Sequence, residues 1–98
     1  MPGQFTLQNS ALLYPAAGFD PDEDHFAVML DGQEVGVIYR IGEEWLWSIA
    51  IGMMGMGSGR GGSRREAREA FRAEWDAKAA QLGPAHVDRA LAVASGRR

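Results

Sequence analysis

No cysteine occurs in the chain. Disulfides, thiolate metal sites and cysteine nucleophiles are therefore excluded, and a cytoplasmic setting is the natural expectation. Basic residues are missing from the N-terminal part, where the first is Arg40. The apolar stretch Ala11-Leu12-Leu13-Tyr14 is broken at once by Pro15, which is not the pattern of a secretory leader. No apolar run approaches the ~18 residues that suggest a bilayer-spanning helix, so no membrane partner is expected. There are only two histidines, His25 and His86. Neither has a sequence neighbour that suggests a base or a metal ligand. Ser10, Ser48, Ser58, Ser63 and Ser95 lack any nucleophile-elbow context, so no catalytic residue stands out.

What is present suits one small domain. At 98 residues the chain supports one hydrophobic core, and an apolar fraction of 46% is that of a globular protein rather than a disordered one. The net charge of −3 is unevenly placed. Residues 1–50 carry eight acids against Arg40 alone, giving −7, whereas residues 51–98 carry five acids and nine bases, giving +4. A net acidic chain is a poor generic nucleic-acid binder, but a local basic patch is compatible with it.

The pattern predicts an α+β domain over residues 1–98. A three-stranded antiparallel meander packs on one long amphipathic helix, followed by a short second C-terminal helix. Residues 1–24 read as an N-terminal extension in which Phe5-Thr6-Leu7 is compatible with a short strand. The sheet is expected over 25–51. Asp31-Gly32 between apolar alternations signals a tight hairpin, because both residues tolerate positive φ. Gly42-Glu43-Glu44 reads as a three-residue loop to a third strand. In that register Val28 faces Val35 and Tyr39 faces Trp47. One face then collects Phe26, Val28, Leu30, Val35, Val37, Tyr39, Ile41, Trp45, Trp47, Ile49 and Ile51. Residues 52–62 read as a mobile glycine-rich loop. Ser63-Arg64-Arg65-Glu66 is a capping box opening a helix over 63–82, with Ala67, Phe71 and Trp75 on its core face. Gly83-Pro84 stops it. A shorter helix follows over 85–95.

The run Val35-Gly36-Val37-Ile38-Tyr39-Arg40, then Trp45-Leu46-Trp47-Ser48, a glycine-rich loop, and Glu66-Ala67, Ala70-Phe71 and Trp75 resembles a family of small bacterial proteins. They share a G-x-I-Y, W-x-W-S, A-x-x-x-F-x-x-x-W pattern and have no assigned function. The resemblance spans about residues 26–78. It implies the same β-β-β-α layout, which is also similar to that of AP2-type DNA-binding domains, whose sheet face reads the major groove. Here the outer sheet face offers a single base, Arg40.

Two candidate binding surfaces emerge. The first is the arginine cluster Arg60, Arg64, Arg65, Arg68 and Arg72, with Arg40 as an outlier. Arg64, Arg68 and Arg72 recur at i+4 beside a helix N-terminus, whose free N–H groups attract anions. The bland alternative is a solvated helix face laced by Arg65 with Glu69 and Arg72 with Asp76. The second is an apolar patch of Met29, Ile38 and Leu46 on the outer sheet face. Either it is bare and suits a partner, or residues 1–14 or the second helix cover it.

Other motifs carry less. Gly57-Ser58-Gly59-Arg60-Gly61-Gly62 matches G-x-G-x-x-G, but no parallel crossover or Walker lysine accompanies it, so it reads as a connector. Asp20, Asp22 and Asp24 echo a calcium loop without its glycine and read as a solvated acidic loop. Met53, Met54 and Met56 read as loop anchors rather than thioether ligands for Cu(I). No cofactor and no metal site is therefore expected. The expectation is a non-catalytic interaction module that engages a protein partner or itself. Nucleic-acid or phosphate binding through the arginines is the alternative.

Overall fold

The computed structural model describes residues 4–55 and 57–94. Met56 and the tail after Ala94 lie outside the described residues. The class is α+β, but the sheet has five antiparallel strands in the order β1-β2-β3-β4-β5 rather than three. They are β1 (Phe5–Asn9), β2 (His25–Leu30), β3 (Gln33–Ile41), β4 (Glu44–Ile49) and β5 (Ser58–Gly61). A four-residue helix α1 (Ser10–Leu13) follows β1, and α2 (Arg64–Leu82) and α3 (Pro84–Ala94) close the chain. No helix of the described residues is long and apolar enough to cross a membrane.

The β2–β3 reversal is the expected one. Asp31 and Gly32 both take positive φ, 52° and 82°, and Leu30 stands opposite Gln33. One step further the register slips. Met29 faces Glu34 but Val28 faces Gly36, so Val35 is the extra residue of a β-bulge. The bulge inverts the parity of β3 beyond it. The second reversal is also tighter than expected. Gly42, at φ 63°, and Glu43 form a two-residue turn, and Ile41 pairs with Glu44. This second shift restores the parity of β4. The inner face therefore holds Phe26, Val28, Leu30, Val35, Trp47 and Ile49, as the alternation predicts, but with Gly36 and Ile38 in place of Val37 and Tyr39. Val37 and Tyr39 are half-buried on the outer face and Ile41 is largely exposed.

The helix explains the bulge. Phe71 is buried against the sheet directly over Gly36. A Cβ at Gly36 would lie 2.3 Å from Phe71 Cε2 and 2.5 Å from the Ser48 carbonyl oxygen. No larger residue fits there, and the bulge places the one glycine of the strand under the ring. Phe71 also meets Trp47 edge-on at 5.9 Å between ring centroids, and Phe5 packs edge-on against both Phe71 and Trp75. Phe5 is thus core, and β1 is the strand that delivers it.

α2 begins as its capping box predicts, with one refinement. Ser63 Oγ accepts from the Glu66 amide at 3.1 Å, while the Glu66 carboxylate accepts from the amide of Gly62 rather than that of Ser63, at 2.7 Å. Ala67, Phe71 and Trp75 are buried on its inner side. Gly83 ends it at φ 89°, and Pro84 is already the first residue of α3. α3 is pinned by its buried Ala90, by Gln33 Nε2 donating to the Leu91 carbonyl at 3.0 Å, and by the His86 ring against the Met53 carbonyl at 2.6 Å.

The described residues of the glycine-rich segment form two ordered pieces rather than a plain connector. Gly52–Met54 is a 3-10 turn that sinks Met54 into the core. Ser58–Gly61 is the edge strand β5. Its glycines permit close approach: a Cβ at Gly59 would meet the Trp47 indole at 2.7 Å, and one at Gly61 the Ala67 amide nitrogen at 2.8 Å.

Candidate functional site

The expected arginine cluster divides into groups. Arg40 sits at the far end of β3, paired with Asp24 at 2.6 Å and donating to the Gly42 carbonyl. Arg60 lies on β5 with Glu44 at 3.3 Å. Both are exposed and bridged to local acids, so neither joins the helix arginines. Arg65 points to solvent with Glu69 at 3.5 Å.

Arg64, Arg68 and Arg72 do come together. The i+4 spacing that makes them a stripe also sets that stripe beside the core face of Phe71 and Trp75. It hangs over the edge strand β1. The Arg64 guanidinium lies 5.1 Å above the Phe26 ring, and that of Arg72 lies 5.0 Å above Phe5. Arg68 Nη2 donates to the Phe5 carbonyl at 2.9 Å. Arg72 is also paired with Asp76 at 3.1 Å. Among the described residues, Arg64 and Arg68 have no carboxylate within ion-pair distance.

The stripe and the strand border an open cleft. One part, about 620 Å³, is bounded by Leu7, Phe26, Arg64 and Arg68. The adjoining part, about 560 Å³, is bounded by Phe5, Arg68, Arg72 and Asp76. Arg65 and Arg68 border both, so the two run together along β1. The floor is apolar and aromatic, and the helix side carries the arginines together with Glu69 and Asp76. Phe5, Leu7 and Phe26 were not singled out as site residues by their types. The signal that places them is the alternation of Phe5-Thr6-Leu7, read together with the phase of the arginines on the helix.

The helix N-terminus itself is not a free anion site. Ser63 Oγ and the Glu66 carboxylate already occupy it. A bound phosphate would have to displace a carboxylate of the same sign.

The expected apolar patch of Met29, Ile38 and Leu46 does not exist as one surface. The bulge turns Ile38 into the core, where it is fully buried. Met29 stays on the outer face but is buried too. The segment from α1 to Asp24 folds over that side. Ser10 Oγ lies 2.7 Å from His25 Nδ1, and the Tyr14 hydroxyl donates to Glu34, the residue paired with Met29. Leu46 alone is half-exposed, between Tyr39 and Arg60 in the sheet.

The remaining candidate groups have local partners, whereas the buried Trp47 Nε1 has no hydrogen-bond partner among the described residues. The His25 ring stacks on Tyr39 at 5.6 Å between centroids and meets Phe19 in a tilted contact at 4.6 Å. Asp20 accepts from the Asp22 amide in a tight turn, and Asp24 is taken by Arg40. Among the described residues no group of three or more His, Cys, Asp or Glu converges to hold a metal ion. No protein family, curated protein or solved structure matches the chain.

Proposed function

We propose that the chain is a small non-catalytic interaction module whose cleft between α2 and β1 receives an acidic segment of a protein partner. One observation carries the reading. Arg64 and Arg68 are held over Phe26 and the Phe5 carbonyl, with no carboxylate to neutralise them among the described residues. Guanidinium groups fixed in this way have lost much of their freedom before any ligand arrives, which lowers the entropic cost of binding. An apolar floor beside them suits a peptide better than a bare anion.

Nucleic acid is the competing ligand for the same cations. Two features disfavour it. Residues 1–50 carry −7 and repel an extended polyanion. The cleft also includes Glu69 and Asp76, which interrupt the continuous cationic track that a phosphate backbone would follow.

Fluorescence anisotropy decides between them, using a labelled glutamate-rich peptide and a single-stranded oligothymidylate of equal net charge. The peptide is expected to bind more tightly, with affinity falling as salt rises. Arg64→Ala and Arg68→Ala should each weaken it about ten-fold, the loss of one charge-assisted contact. Tighter binding of the oligonucleotide would replace the protein-partner reading with the nucleic-acid one. Binding that ignores both substitutions would remove the cleft from the account.

A further inference from the structure

We infer that the partner enters as an extended strand added to β1, with acidic side chains at alternate positions turned toward α2. This rests on the reading of the cleft as the partner site.

The argument begins with ladder parity. In an antiparallel sheet every second residue turns its N–H and C=O to the same neighbour. The Arg40 amide donates to the Asp24 carbonyl at 2.9 Å, so Asp24, and with it Phe26 and Val28, turn their backbone groups to β3. His25, Ala27 and Met29 then turn theirs to β1. Gln8 and Thr6 stand opposite Ala27 and Met29 and complete that ladder. Phe5, Leu7 and Asn9 are left facing away from the sheet. The Arg68 bond to the Phe5 carbonyl agrees with this assignment.

β1 has β2 as its single strand neighbour among the described residues. Its outer edge therefore presents the Leu7 N–H and C=O to an incoming chain. Asn9 ends the available edge, because the chain turns into α1 at Ser10. Unprotected edges invite pairing with another strand, and a row of cations beside one selects what pairs. A residue opposite Leu7 shares its face and points to Arg64 and Arg68. A residue opposite Phe5, two positions away, points to Arg68 and Arg72. The residue between them points to the other face, beside exposed Thr6. The recognised pattern is acid-x-acid in an extended segment. A second copy paired through its own β1 with both helices on one side would set two arginine stripes against each other, so self-pairing is disfavoured.

The probe is a blocked peptide, Thr-Glu-Val-Glu-Val-Glu-Thr. It is compared with its isomer Thr-Glu-Glu-Val-Val-Glu-Thr, in which no two acids stand at i and i+2, and with versions N-methylated on the Glu or on the Val amides. With the segment added antiparallel, as every strand of this sheet is paired, the Glu amides are the ones that would face β1. The alternating peptide is expected to bind at least ~10-fold more tightly than the isomer, and N-methyl-Glu to lose at least ~10-fold while N-methyl-Val does not. Hydrogen exchange at the Leu7 amide should slow in the complex. Equal affinities across the set, with the dependence on Arg64 and Arg68 kept, would overturn strand addition and leave the cleft reading standing. No binding of any peptide at ~1 mM would overturn both.

Discussion

At the scale of single residues, the fold depends on places where a side chain is absent. Gly36 lies under Phe71, and a Cβ there would also meet the Ser48 carbonyl, which belongs to a neighbouring strand and cannot yield. Gly36→Ala is expected to cost ~1–3 kcal/mol in urea denaturation, although alanine is otherwise a mild change. A variant as stable as the parent would mean that the ring does not sit there. Phe71→Ala removes the ring itself and should cost ~3–5 kcal/mol. Tyr14 offers a pH test of the outer face. Its hydroxyl keeps its proton above the ordinary pKa of 10.0, chiefly because it donates to Glu34, with burial and the Glu34 charge acting in the same sense. A raised folded-state pKa means that the folded chain holds this proton more tightly than the unfolded one. The stability it lends is complete below pH 10.0 and is lost as pH rises through the raised value. The stability difference between the parent and Tyr14→Phe should therefore be constant at neutral pH and shrink in alkali. A difference that grows with pH would contradict the contact.

At the scale of elements, α2 was readable because its signals are local. The Ser63 cap, the Ala67-Phe71-Trp75 spacing and Gly83 lie within the element they define. Ser63→Ala should cost about 1 kcal/mol and Ser63→Gly only a few tenths, since glycine leaves the cap open to water. Equal losses for the two would place the stabilisation elsewhere. The strands were readable in number only in part. β5 escaped because glycine reads as flexibility in a sequence, whereas here it is the shape that Trp47 and the Ala67 backbone require. The orientation of β3 escaped for a related reason. A bulge is set by what presses on the sheet from above, and period-two alternation carries no record of Phe71. Trp47 and Ile49 still fell on the correct face because the tighter Gly42-Glu43 turn offsets the bulge. The arginine stripe was visible as a helical period, but the strand beneath it was not, because Phe5-Thr6-Leu7 is too short to declare its partner.

At the scale of the whole molecule, charge is sorted by position. Arg40, Arg60 and Arg65 are exposed and each has one local acidic partner, so these pairs contribute little to stability. Arg64 and Arg68 differ, since their surroundings are an aromatic ring and a backbone carbonyl. Arg64→Ala should cost no more than ~1 kcal/mol of stability, measured by thermal unfolding, while abolishing most of the peptide affinity. An amide and guanidinium NMR titration with the alternating acidic peptide tests the central claim most directly. The account expects the largest shifts at the side-chain N–H groups of Arg64, Arg68 and Arg72 and at the β1 amides of residues 5–9, with β5 and α3 unmoved. Shifts centred on β5, on α3 or on the outer face around Leu46 would contradict it.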